Sequence, residues 1–423
     1  MALPHLGEFG WDAHVLAVAA EDVEGFQDPD LVATLPADVP VTRVRAIPPQ
    51  FTRKLGFGSL GLRSYWALKR AGTRLLQKKR FDLVYFSTTI FRAMSLGPLW
   101  KRRLGIPYVV DLQDPWVNDY YARSGDRPPG GRLKHGFAQW SARRAEPKAL
   151  RAAAHIVTVS PAYPEMLRRH YPDLPESRFT VLPFGASERD RDLVKSRQFT
   201  HRIFDPADGR RHWTYLGRGG SDMVRSLRAL FLALRQLRRD VPEVNRLRLH
   251  FVGTNYATGS NSQKTIEPIA QDMGLGDLVT EEPARIPYLQ GLALLRSSDV
   301  SLIISSDDPG YSASKVYPCI LAERPVLALV HKQSLAGHVI DQCRAGDVVG
   351  FSSEHTIEQI AERTVPILRR LLARPAAESP VIDWEAFCPY TAREMTRCQC
   401  AVFDEASQTE SISRPALVEA GSL

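Results

Sequence analysis

SSDDPGYSASKVYPCILAERPVLALVH, residues 305–331, is the stretch whose reading decides the fold. The apolar run DVSLIIS (299–305) leads into it as a strand. A short polar loop follows, then Ser314 and Lys315 open a helix that Arg324 and Pro325 close, and Val326–Val330 read as a second strand. Strand, loop, helix start and strand in that order place backbone N–H groups at the carboxyl edge of a parallel sheet, where open α/β folds hold anions. Ser314 is placed to cap the helix and Lys315 to set a cation beside the same anion. An ordinary βαβ crossover with a capping serine and a surface lysine has the same pattern, so the stretch settles fold class before function.

Outward from it, 423 residues are too many for one small core and imply two domains. Hydrophobic residues at 44% and charged residues at 24% are an ordinary globular balance. The net charge of +8 is uneven: residues 1–200 hold 30 Lys and Arg against 20 Asp and Glu, and the rest holds 25 against 27. A basic first half points to an anionic partner. The five cysteines show no paired framework and no C-x-x-C, which fits a reducing compartment and speaks against structural zinc. No apolar run is long enough to span a bilayer, and the opening MALPHLGEFGW lacks the basic and long apolar parts of a secretory signal.

Strands alternate with helices along the whole chain, which predicts parallel sheets covered on both faces. In the first half the strands are 13–19, 41–47, 81–87, a run ending at Asp111, 155–160 and 179–185. Helices are expected over 62–80, 93–104, 133–154 and 161–170. Residues 186–211 are polar with weak periodicity and read as a linker. A second series follows, from HWTYLGR through LRLHFVGT to the opening stretch. Further helices are expected over 334–344 and 355–373. The resulting division is 1–190 for a first domain, 205–383 for a second, 384–406 for a terminal helix with an apolar face and 407–423 for a disordered tail.

Four strand ends of the second domain carry ligand-type residues. YLGRGG gives Gly217, Arg218, Gly219 and Gly220: glycines allow close backbone approach, and an arginine fork suits phosphate oxygens. Arg225 follows on the next helix as a second cation. FVGTNYA offers Thr254 and Tyr256, RIPY offers Arg285, Ile286 and Tyr288, and the opening stretch offers Tyr311, Ser314 and Lys315. In the first domain Ser87 and Thr88 follow one strand and Asp111, Asp114 and Trp116 follow another. Carboxylates there can act as acids, bases or hydroxyl binders, and Asp114 before Pro115 is also a good turn starter. Gly56, Gly58 and Gly61 match a dinucleotide glycine pattern literally but lie too far from the preceding strand. No zinc-protease, P-loop or nucleophile-elbow motif occurs, nor any metal-spaced carboxylate cluster.

Taken together, these pieces resemble a GT-B glycosyltransferase of the family-4 type, over about residues 5–405. LGEFGWDAHVLAV, FDLVYFSTT, RRLGIPYVVDLQDPW, AAAHIVTVSPAYPEML and FTVLPFGAS are similar to the family's first domain, and YLGRGG, LRLHFVGT and SKVYPCILAERPVLAL follow in family order through the donor domain. The resemblance implies two Rossmann-like domains facing across a cleft, with the C-terminal helix crossing back to the first. It implies a nucleoside-diphosphate sugar in the second domain, with Arg218 and Arg225 on the pyrophosphate, Arg285, Ile286 and Tyr288 around the base, and Lys315 in a variant S-K-hydrophobic-Tyr pattern. It further implies retaining, metal-independent transfer with no cofactor beyond the co-substrate. Two departures stand out. The family's two donor-domain glutamates would fall at Gly310 and Pro318, and the opening strand and glycine loop of the first domain are missing.

The expected partners are a nucleotide-sugar donor and a glycan or lipid-linked acceptor in surface polysaccharide assembly, at a cytoplasmic site on the inner face of the membrane, with Asp111 and Asp114 as catalytic candidates. A non-catalytic partner subunit and a nucleotide-sugar 2-epimerase are the alternatives. The basic helix 62–80, with Lys69, Arg70, Arg74, Lys78, Lys79 and Arg80 beside Tyr65, Trp66, Leu68, Leu75 and Leu76, is expected to meet an anionic membrane rather than nucleic acid.

Overall fold

The computed structural model describes residues 1–25, 27–32, 34–52, 58–117, 131–197, 199, 201–255, 263–306, 314–375 and 378–411. They form an α/β protein of two compact units. The N-terminal unit comprises Leu3–Glu24, Pro36–Pro183 and the chain from Thr396 onward. The C-terminal unit comprises Met1–Ala2, Gly25–Leu35 and Phe184–Met395.

In the N-terminal unit β1 (Val15–Val18) pairs in parallel with β2 (Val41–Val44). β3 (Val84–Ser87), β4 (Tyr108–Leu112), β5 (His155–Thr158) and β6 (Phe179–Val181) form a second parallel sheet in sequence order. β4 and β5 are buried along their whole length, which is why they read as continuous apolar runs. Their alternate residues serve two cores. Val110 and Ile156 pack with Met94, Trp100 and Tyr108 on one face. Val109 and Val157 pack with Leu6, Val402 and Phe403 on the other.

In the C-terminal unit β7 (Arg211–Leu216), β8 (Leu247–Val252), β9 (Val279–Glu282), β10 (Val300–Ile304), β11 (Val326–His331) and β12 (Gly346–Phe351) make one parallel sheet in the order β12-β11-β10-β7-β8-β9. The chain runs outward from β7 to β9, returns to the other side of β7, and runs outward again. The reversal puts a topological switch point between β7 and β10, where open α/β sheets leave a crevice at their carboxyl ends. Helices Val224–Leu237 and Ile357–Ala373 cover one face with Phe231, Leu234 and Leu368. Ile303, Ala328, Val330 and Ile320 fill the other.

Four expectations need correction. Residues 186–211 are not a plain linker: Glu188–Ser196 is a helix capped by Ser187, whose hydroxyl accepts the Asp190 N–H, and it buries Val194. β12 was not anticipated, because Gly346, Asp347 and Gly350 break up its apolar pattern. The terminal helix is two pieces. Trp384–Phe387 gives way to a tight turn at Cys388–Tyr390, where Pro389 has no N–H to donate, and a new helix runs over Ala392–Ser411. That helix continues into residues 407–411, expected as tail; residues 412–423 lie outside the described part. Finally, the basic helix runs over Leu60–Lys78, and its apolar side is inside: Leu68 is buried and Leu76 packs on the same core. Among the described residues no helix is long and apolar enough to cross a membrane.

Candidate functional site

Arg218 follows β7, and Lys315 opens the helix that comes after β10, so the two are supplied by the connections of the two strands that flank the switch point. The Lys315 ammonium donates to the Tyr215 hydroxyl at 2.5 Å and lies 4.2 Å from the centre of that ring. The same hydroxyl donates to the Arg218 carbonyl at 2.6 Å. Gly217 makes room for this arrangement: a Cβ there would stand 2.6 Å from the Lys315 Nζ, and its φ of +150° is backbone that favours glycine. Burial pushes the Lys315 ammonium down to about 7, with repulsion from Arg218 adding to the shift and Asp222 opposing it. The Arg218 fork donates to both carboxylate oxygens of Asp222, at 2.9 and 2.6 Å. Two cations and one carboxylate therefore converge where an anion would sit.

Other expected contacts are arranged differently. The Gly217 N–H donates to the Val252 carbonyl and the Gly219 N–H to the Thr254 carbonyl, so the β7–β8 ladder continues irregularly and takes up two amides expected to face phosphate. Gly219 is needed for closeness: a Cβ there would stand 2.6 Å from the Thr265 hydroxyl. At Gly220 a Cβ would crowd the Asp222 carboxylate, so this glycine lets the Arg218–Asp222 pair form. Ser314 is exposed and does not cap the helix. Lys315 is already helical in backbone (φ −65°, ψ −12°) and occupies the cap position of the short helix Val316–Leu321, with no side-chain cap bond. Pro318 lies in the first turn of that helix.

Arg225 donates to the His355 carbonyl at 2.7 Å. Thr254 is buried, and its hydroxyl donates to Glu281 at 2.5 Å. Glu281, missed in the sequence, also accepts the N–H groups of Thr265, Ile266 and Glu267 at the start of helix Glu267–Asp272. Arg285 lies beside the backbone of Gly253, and Ile286 beside Gly291. Tyr288 begins helix Tyr288–Ser297 and is tied inward: its N–H donates to Asp28 at 2.6 Å, and burial followed by the hydrogen-bonded Asp190 pushes its phenol well up. Tyr256, Tyr311, Gly310 and Gly56 lie outside the described residues.

In the N-terminal unit β3 and β4 bring Ser87 directly opposite Asp111. The buried Asp111 carboxylate accepts the Tyr85 hydroxyl at 2.9 Å, the Ser87 hydroxyl at 3.2 Å and the Gln113 amide at 3.3 Å. Burial raises its pKa against those three bonds. Desolvation also raises the carboxyl of Asp114, although that residue is exposed overall. The Thr88 hydroxyl accepts the Ile90 N–H at 2.9 Å, and Trp116 stacks on Phe91 with centroids 5.9 Å apart. Ser87 and Asp111 thus meet, whereas Thr88 and Trp116 serve the chain itself. Among the described residues no three His, Cys, Asp or Glu side chains group as a metal site would.

Residues 3–185 match the family model described as a glycosyl transferase 4-like domain. No curated protein sequence matches the chain. Solved structures do. A glycosyltransferase from Rickettsia africae is 12% identical over 96% of this chain and 93% of its own, with a TM-score of 0.59. HepE of Anabaena in complex with UDP-glucose is 16% identical over 95% and 99%, with a TM-score of 0.53. The UDP-forming α,α-trehalose-phosphate synthase of Burkholderia xenovorans is 13% identical over 94% and 91%, with a TM-score of 0.51. At these identities the likeness is one of fold.

Proposed function

We propose that this chain, which has the GT-B fold with two Rossmann-like units and matches a glycosyl transferase 4-like domain over residues 3–185, moves a sugar from a nucleoside-diphosphate sugar to a hydroxyl of a glycan or lipid-linked acceptor. The observation that carries the reading is the convergence of Lys315 and Arg218 over Gly217 at the switch point. Departure of a nucleoside diphosphate builds negative charge on the leaving phosphate, and cations already in place stabilise it without reorganising. The proposal includes metal-independent, retaining chemistry and a role in surface polysaccharide assembly. Asp111, with its raised pKa and its Ser87 neighbour, is the residue of choice for holding the acceptor hydroxyl. Uridine diphosphate is the first nucleotide to test, because HepE is in complex with UDP-glucose.

Calorimetry with uridine diphosphate tests the site. Losing a charge-assisted bond costs about 1.5–3 kcal/mol, so Arg218→Ala and Lys315→Ala should each weaken binding roughly ten- to a hundredfold. Tight binding by the parent that neither variant loses would put the nucleotide elsewhere. A second reading, a non-catalytic subunit, draws on Pro318 where the resemblance expects a glutamate and on the Asp222 carboxylate already clasping Arg218. Absence of nucleotide binding by the parent would favour it.

A further inference from the structure

Three helices of the N-terminal unit, Leu60–Lys78, Gly97–Leu104 and Arg132–Ala152, hold a single carboxylate among them, Glu146. Glu146 is buried, where it accepts the Tyr171 hydroxyl and the Val117 N–H. The helices themselves therefore present cations outward with no exposed acid of their own; from outside them Asp173 pairs with Arg151 at 2.7 Å. Three large aromatic side chains stand among the cations, and each is more than half exposed: Trp66 at 67%, Phe137 at 57% and Trp140 at 54%. Helical spacing puts Trp66 in one stripe with Arg70 and Arg74, and Phe137 and Trp140 in one stripe with Arg144. Arg92 links the two helices, lying 5.7 Å from the Tyr65 ring and donating to the Ser141 hydroxyl at 2.8 Å.

We propose that this three-helix face docks on the surface of an anionic phospholipid bilayer, with the aromatic rings at headgroup depth and the cations among the phosphates. A bilayer offers anions and, just beneath them, an apolar layer, and it matches both halves of the surface. A soluble polyanion matches the charge alone. Stacking on bases or sugar rings is disfavoured by the rings' own neighbours. Lys69 lies 4.6 Å over Trp66, Arg144 lies 3.9 Å over Trp140, and Phe137 stacks on Trp140 at 5.7 Å. Each of those neighbours covers ring surface that a stacked base or sugar would otherwise take. Of the leucines of the basic helix, Leu68 and Leu76 are taken by the core.

The test is sedimentation of the full chain with phosphatidylcholine vesicles, with and without phosphatidylglycerol, and in the absence of any nucleotide. Binding to the phosphatidylglycerol vesicles that weakens with salt, and little binding to phosphatidylcholine alone, is the expected result. Arg70→Ala should weaken it about fivefold, and Trp66→Ala combined with Trp140→Ala by about tenfold or more. All these side chains are exposed, so thermal melting of the variants should match the parent. Failure of the parent to sediment with anionic vesicles at low salt would overturn the proposal. So would full binding by the double tryptophan variant, or tighter binding of single-stranded DNA than of vesicles. Because no nucleotide is present, this outcome is independent of the donor site.

Discussion

Lys315 holds its ammonium against a phenol ring and a glycine backbone, while Asp222 is already clasped by Arg218. Its pKa of about 7 compares with about 10.4 for an unperturbed lysine. In the unliganded protein the unfolded chain binds the proton more readily between those two values, so stability should rise with pH across that window. Lys315→Met should remove the rise, as read from urea midpoints at several pH values. A bound diphosphate supplies the missing counter-charge and draws the pKa back up. Nucleotide affinity should then be level below about pH 7 and fall as pH rises above it, because binding must take up a proton. Lys315→Arg stays charged throughout and should give a flat profile. A flat profile in the parent would mean that Lys315 does not meet the phosphate. Asp222→Asn releases the Arg218 fork from a partly exposed pair and should tighten uridine diphosphate binding about fivefold, or ~1 kcal/mol.

At the scale of the element, Glu281 at the end of β9 stitches helix Glu267–Asp272 and Thr254 to the sheet through four donated hydrogen bonds. Glu281→Ala leaves those donors without their acceptor in a buried place and should cost about 3 kcal/mol or more in urea denaturation. An unchanged midpoint would count against this account. The example also marks what the sequence discloses and what it withholds. β4, β10 and β11 are legible because both faces are buried and apolar residues fill all but one position of each. Helix Glu188–Ser196 is hidden because Leu193 and Val194 are its two apolar residues. Lys315, Arg218 and the glycines beside them stand out as residue types at strand ends. Their partners do not: that Asp222 clasps Arg218, that the Gly217 and Gly219 amides stay with β8, and that Thr254 turns to Glu281 depend on which segments fold beside one another.

At the scale of the molecule, neither unit is a continuous piece of chain. Gly25–Leu35 belongs to the C-terminal unit, where Asp28 accepts the first N–H of helix Tyr288–Ser297. The chain from Thr396 belongs to the N-terminal unit. There Val402 and Phe403 pack with Val109 and Val157, and Trp11 donates to Asp404 at 3.0 Å. The Phe403 ring lies 5.3 Å from Trp11 and 4.9 Å from Tyr85. A terminal helix with an apolar face was legible in the sequence; the excursion over 25–35 was not, since it carries no pattern of its own. Removing a buried phenylalanine costs about 3–5 kcal/mol, a large part of the ~5–15 kcal/mol that holds a domain together. Phe403→Ala should therefore lower the denaturant midpoint of the N-terminal unit, with Trp11 fluorescence as the local reporter. Truncation after Thr391 also removes Cys400, Val402 and Ala406 from the same core and should leave that unit unfolded. Phe403 lies outside the unit that carries Arg218 and Lys315, so the substitution should spare uridine diphosphate binding at temperatures where the N-terminal unit is weakened. Loss of nucleotide binding in parallel with Trp11 unfolding would show instead that the two units stand or fall as one.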